Sequence, residues 1–175
     1  MKRSELEHII RAASEIANDR EIVVIGSQAI LGSFPNAPPE LLVSMEADVY
    51  PKNHPERADL IDGSIGEGSP FHDLYGYYAQ GVDEHTAVLP GGWKERLVAV
   101  KNENTRGNIG WCLEPHDLAV AKAVAGREKD LLFLREAARS GLVGRETLLE
   151  RLASTEVDDA LRSRVAARLK SAFAP

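Results

Sequence analysis

Cysteine is almost missing from this chain: Cys112 is the only one in 175 residues. A single thiol excludes an internal disulfide framework and any zinc site built on cysteine, and makes a reducing cytoplasm the expected setting. Cys112 sits in "NIGWCLEP", an apolar stretch that reads as core rather than as a nucleophile. Long apolar runs are missing too, since nothing approaches the roughly 20 residues that cross a bilayer. The opening "MKRSELEHII" carries basic residues with no apolar segment behind them, which does not fit a secretory signal. Aromatic residues are only 6% of the chain, and the five histidines (8, 54, 72, 85 and 116) fall in no metal-binding spacing. No G-x-x-x-x-G-K-[ST] exists, and "GSQAILG" fits neither the dinucleotide-binding glycine spacing nor a nucleophile elbow.

Positive charge is also in deficit. A net charge of −6 argues against a protein that coats nucleic acid. The deficit lies early: residues 1–121 hold 10 basic against 19 acidic residues, and the remainder 11 against 8. An acidic half and a mildly basic half can accept a metal-bound phosphate.

What is present is an alternation of short elements without repeats or low-complexity segments. Residues Ser4 to Asn18 read as an amphipathic helix, with Ser4 as N-cap, Glu7 three residues on, and Leu6, Ile9, Ile10, Ala13, Ile16 and Ala17 at helical spacing. "EIVVIG" reads as a buried strand, "SQAILGS" as a short helix stopped by Gly32, and "LLVSMEADVYP" as a strand ended by Pro51. Pro55 to Gly66 read as a helix with Leu60 and Ile61 inward. From Pro70 to Val100 the pattern is β-like and broken by turns ("YGYYAQGV", "HTAVLPGGW", "ERLVAVKN"), with "PGGW" a tight turn. From Glu114 the chain turns helical: Pro115 near a helix start with Leu118, Ala121 and Ala125 on one face, Gly126 as separator, then helices carrying Leu131, Leu132, Leu134 and Ala137, over Arg145–Ala153, and over Val157–Phe173. The expected fold is an α/β module over residues 1–113 and a helical part over 114–175, packed as one continuous unit.

Two features point to chemistry. Gly26 and Ser27 stand where a strand opens into a helix, a place that leaves backbone N–H groups and a hydroxyl for a phosphate. Glu46 and Asp48 stand two apart on a strand and so share one face with Ser44, while Met45, Ala47 and Val49 face the other way, toward the core. Adjacent carboxylates repel unless solvated or bound to a cation, and magnesium takes one or two of them together with phosphate oxygens.

Strand, Gly-Ser, helix, then a strand bearing acid-x-acid resembles the DNA polymerase β-like nucleotidyltransferases. A third stretch, "EPHDLAVAKAVAGREKDLLFL", is similar to a helical motif of minimal bacterial members, the AbiEii-like group of toxin–antitoxin and abortive-infection systems. That motif reads roughly D-L-x-x-x-K, then R-x-K-D, here Asp117, Leu118, Lys122, Arg127, Lys129 and Asp130. The resemblance implies a mixed β-sheet with flanking helices and a helical C-terminal part. It implies that Gly26 and Ser27 hold a nucleoside triphosphate, and that Glu46 and Asp48 are catalytic and hold Mg²⁺. Lys122, Arg127 and Lys129 would surround the triphosphate, with Asp130 orienting a lysine or joining the metal site. The acceptor would be a hydroxyl on a protein, an RNA end or a small molecule, in a defence setting in the cytoplasm. The chain departs from the pattern in two ways. Glu46 stands where the first acid is usually Asp. No third carboxylate is evident either, because Asp83 and Glu84 in "GVDEHTA" read as turn residues and "RLVAVKN" carries no acid. Those departures keep a second expectation open, a catalytically inert member that binds a partner protein or a nucleotide.

Overall fold

The computed structural model describes residues 1–174. The backbone forms two units, residues 1–86 with 97–113, and residues 87–96 with 114 onward.

The first unit is built on a mixed five-stranded sheet: β1 (Glu21–Val24), β2 (Glu46–Pro51), β3 (Tyr78–Gly81), β4 (Val98–Val100) and β5 (Ile109–Cys112), in the spatial order β3-β2-β1-β5-β4. β1 pairs antiparallel with β2 and parallel with β5; β3 is parallel to β2, and β4 closes the other edge antiparallel to β5. Helices α1 (Arg3–Ala17), α2 (Ile30–Ser33), α3 (Ala58–Ile65) and α4 (Pro70–Tyr75) accompany it. This is the mixed sheet with flanking helices that the resemblance implies.

The helical periodicity of α1 is realised in its burial. Leu6, Ile9, Ile10, Ala13 and Ala17 are buried, and each large aliphatic side chain so placed contributes about 1.5–3 kcal/mol. Its start differs from expectation. The helix begins after Lys2, whose N–H donates to Glu5 (2.7 Å), so Ser4 lies inside the first turn and is not the cap. Glu7 is thereby released from capping. It is buried and accepts from Arg3 (2.9 Å), Asn102 (2.7 Å) and Asn104 (2.8 Å), tying α1 to the loop before β5. Burial works to raise the Glu7 pKa, and these donors outweigh it and hold the carboxyl below its ordinary value.

β2 is shorter than predicted. A 3₁₀ turn at Pro39–Leu41, with Pro39 at its first position, and irregular chain to Met45 precede it. Ser44 therefore is no strand residue: its hydroxyl accepts from the Glu46 N–H (3.1 Å) and donates to the Glu46 carbonyl (3.2 Å), pinning the strand's start. Ala47 and Val49 are core as expected, whereas Met45, outside the strand, is 55% exposed. In α3, Ile61 is buried but Leu60 is 52% exposed, one residue off the apolar face. The segment read as β-like from Pro70 opens instead with α4, capped by Ser69, whose hydroxyl accepts from the His72 N–H (3.2 Å), and "HTAVLPGGW" forms no strand. Ser-Pro at N-cap and N1 was the signal for that helix. Cys112 is fully buried and burial pushes its thiol up to about 12, consistent with core.

The second unit contains α5 (Pro115–Ala125), α6 (Glu128–Arg139), α7 (Arg145–Ala153) and α8 (Asp159–Ser171). α5 packs against the other three. It is consequently buried nearly all round, at Leu118, Ala119, Val120, Ala121 and Ala123, while Ala125, expected inward, is exposed at its end. Gly126 terminates α5 in the left-handed region (φ 65°). No helix among the described residues is long and apolar enough to cross a membrane.

Asp19 supplies a pH-dependent tie in the first unit. It is buried, and its carboxylate accepts from the N–H groups of Glu21 (3.0 Å), Asn53 (2.7 Å) and His54 (3.2 Å) and from the Asn53 amide (2.9 Å). Burial alone would raise its pKa, but those donors outweigh it and the folded value lies below the ordinary one. Its contribution is complete above the unfolded pKa, near 3.9, and is lost as pH falls through the folded value. Asp19→Ala is expected to lower stability at pH 7 by about 2–3 kcal/mol by leaving buried donors unpaired. Urea denaturation at pH 7 and pH 3 should show the difference from wild type shrinking at the lower pH.

Candidate functional site

The Gly-Ser turn and the acid-x-acid strand meet, and both belong to the first unit. β1 and β2 pair through Val24↔Val49, and the ladder continues with the Ile25 N–H donating to the Asp48 carbonyl (3.0 Å). This register sets the Asp48 carboxylate directly against Gly26. A Cβ at position 26 would lie 1.9 Å from Asp48 Oδ2 and 2.7 Å from its Cγ. Gly26 is extended (φ −80°, ψ −174°), so glycine is required there by close approach and not by backbone conformation. Ser27 opens a 3₁₀ turn, Ser27–Ala29, that leads into α2.

Glu46 and Asp48 are half-buried on one face of β2, and Ala47 and Val49 are fully buried on the other. On the neighbouring strand, Tyr78 pairs with Glu46 and Gln80 with Asp48. Paired residues of parallel strands share a face, so the acid pair has a phenol and an amide beside it. The Tyr78 hydroxyl donates to Glu46 Oε2 (3.1 Å). Burial first, then the Glu46 charge, pushes the phenol up to about 12, so it stays a donor. The His72 ring packs on Tyr78 with centroids 4.6 Å apart.

Sequence reasoning missed Tyr78 and Gln80, because only the register reveals them. β4, the strand from "ERLVAVKN" where a third acid was sought, lies at the opposite edge of the sheet, with β1 and β5 between it and β2. Asp83 and Glu84 follow the end of β3 and act on Tyr50, whose hydroxyl is raised by burial and then by these two charges. No three His, Cys, Asp or Glu side chains among the described residues are grouped to hold a metal. The donor set present, two carboxylates on one strand face, suits a magnesium ion whose remaining ligands come from water and phosphate.

The third motif lies in the second unit. Glu114 caps α5, accepting from the His116 (3.0 Å) and Asp117 (3.3 Å) N–H groups. Asp117 is fully buried, bound by Arg96 through two hydrogen bonds (2.8 and 2.9 Å) and paired with Arg151 (3.2 Å). It thereby fastens residues 87–96 to the helices. Asp130 is fully buried as well. It pairs with Lys122 (3.1 Å), accepts from Arg127 Nε (2.7 Å), and accepts from the Arg127 N–H (3.2 Å) at the cap of α6. Of the two roles the sequence leaves to Asp130, orienting a lysine is the one its contacts in this unit display. Lys122, nearly buried at 13% side-chain exposure, also lies over the Phe133 ring. Arg127 and Lys129 are exposed.

The mixed sheet with flanking helices and the match to a family model together place the chain in the nucleotidyltransferase superfamily. Residues 4–174 match the model of a family described as "Nucleotidyltransferase of unknown function (DUF6036)", and the chain belongs to that family. No curated protein and no solved structure is matched.

Gly26→Ala is expected to destabilise the first unit by about 1–3 kcal/mol through overpacking against Asp48. Most of that loss should return in Gly26→Ala/Asp48→Ala, because the two side chains collide with each other. A double-mutant cycle by urea denaturation checks the coupling.

Proposed function

We propose that the chain binds a nucleoside triphosphate with Mg²⁺ and transfers a nucleotidyl group to a hydroxyl acceptor. The observation that carries this reading is the seating of the Asp48 carboxylate on Gly26, which joins a phosphate-type turn to a metal-type carboxylate pair. Gly26 and Ser27 hold the phosphates through backbone N–H groups and the serine hydroxyl. Glu46 and Asp48 hold the metal, with Tyr78 fixing the longer Glu46 side chain. Bound there, Mg²⁺ would neutralise phosphate charge and help activate the acceptor hydroxyl. Lys122, Arg127, Lys129 and Asp130 are given no share in this proposal. A role in toxin–antitoxin or defence biology follows from the sequence resemblance alone.

The test is calorimetric titration of ATP, GTP, CTP and UTP with and without Mg²⁺. Micromolar, Mg²⁺-dependent binding of at least one triphosphate is expected, with a loss of tenfold or more in Asp48→Asn. Binding that ignores Mg²⁺ or survives the substitution would refute the assignment.

A second reading, a module that binds nucleotide without catalysing transfer, is favoured by Gln80, an amide beside Asp48 where a further carboxylate would complete the site. Under that reading Gln80→Asp tightens Mg²⁺ binding several-fold, and wild type shows no pyrophosphate release with any acceptor tried. Unchanged Mg²⁺ affinity in Gln80→Asp would count against it.

A further inference from the structure

In a chain with so few aromatic residues, Phe71, Tyr75 and Tyr77 gather with His8 into one connected ring cluster. Centroids lie 4.7 Å apart for His8 and Tyr75 (edge-on), 5.0 Å for His8 and Phe71, 4.8 Å for Phe71 and Tyr75, and 5.9 Å for the two tyrosines. Such clusters ordinarily fill cores. This one stands at the surface, on α1, α4 and the start of β3, with Tyr75 46% exposed. It walls an open cavity of about 430 Å³ lined by Ser4, Glu5, His8, Arg11, Tyr75, Tyr77 and Asn104, within the range of ligand-sized pockets. The walls are pre-set: His8 Nδ1 and the Tyr77 hydroxyl are bonded at 2.8 Å, and Arg11, itself a lining residue, is held by donating to the Asn104 carbonyl (2.5 Å).

Exposed apolar side chains accumulate around the same edge of the sheet. Leu74 is 73% exposed beside Tyr75, and Met45 is 55% exposed. The Tyr78 N–H donates to the Met45 carbonyl, so the β2–β3 register carries Met45 alongside Tyr77. Aromatic residues and methionine at an exposed apolar rim mark interaction surfaces. The charge of this unit selects the partner. Residues 1–86 and 97–113 hold 8 Lys and Arg against 16 Asp and Glu, a net of −8, which repels nucleic acid and attracts cations.

We propose that this ring-lined cavity and its apolar rim are a docking site for a basic segment of a partner protein. An Arg or Lys side chain lies on the faces of Tyr75 and Tyr77 with Glu5 as counter-ion, and the segment's aliphatic residues cover Leu74 and Met45. A cation over an aromatic face and an apolar anchor are complementary demands, and this surface meets both. None of Glu46, Asp48, Gly26 and Ser27 lines this cavity, so the inference is independent of the proposed nucleotide site.

The test uses the full chain, ¹⁵N-labelled, titrated with three 12-residue probes: an Arg/Leu peptide, a Glu/Leu peptide and a single-stranded oligonucleotide. The Arg/Leu peptide is expected to shift the amide resonances of Glu5, His8, Leu74, Tyr75 and Tyr77. Its affinity should fall tenfold or more in Tyr75→Ala and several-fold in Glu5→Gln, and stay unchanged in Asp48→Asn. Because Glu5 also caps α1, Leu74→Ser serves as a variant outside the helix start and should weaken binding several-fold. The site is refuted if the Glu/Leu peptide or the oligonucleotide shifts these residues as strongly, if no probe shifts them, or if Tyr75→Ala and Leu74→Ser both bind like wild type.

Discussion

The site of the first unit depends on one close approach, the Asp48 carboxylate lying where a side chain at position 26 would be. Two neighbouring antiparallel strands make it, and any residue but glycine would push them apart or turn Asp48 away. That approach brings the Gly-Ser turn next to the acid pair. A surface acid-x-acid would have no such neighbour.

The construction around Glu46 shows how a longer acid is accommodated. A glutamate has one more rotatable bond than an aspartate and needs an extra restraint to hold one position. Tyr78, its partner in register, supplies a hydroxyl that remains protonated because burial and the acid's own charge raise it. Beside Asp48 the register places Gln80, which offers an acceptor and a donor but no charge. The two carboxylates therefore have two neutral polar neighbours.

The helical unit is organised by two fully buried aspartates. Asp117 gathers Arg96 and Arg151, and Asp130 gathers Lys122 and the first turn of α6. Removing one partner of such a pair leaves a buried charge uncompensated, a cost of about 3–5 kcal/mol. Within the motif Asp-Leu-x-x-x-Lys with Arg-x-Lys-Asp, the Lys122–Asp130 pair joins α5 to α6. Leu118 is fixed in the core, while Lys129 is exposed.

The amino-acid sequence determined what depends on neighbours along the chain. Apolar spacing marked α1, α3 and the four C-terminal helices, Gly126 marked the break between α5 and α6, and period two put Glu46 and Asp48 on one face. Where local signals competed, the reading erred by a few residues: Glu5 and not Glu7 closed the start of α1, and Ser-Pro began α4 inside a stretch that looked β-like. Tertiary structure alone decided which strand lies beside β2. The β2–β3 pairing joins residues 32 positions apart, Glu46↔Tyr78 through Val49↔Gly81, and its register is set by how whole faces bury, which no local pattern encodes. That choice put β3 against the acid pair and β4 at the far edge. It made Tyr78 and Gln80, unremarkable in sequence, the nearest neighbours of Glu46 and Asp48, because side chains opposite one another on adjacent strands share a face.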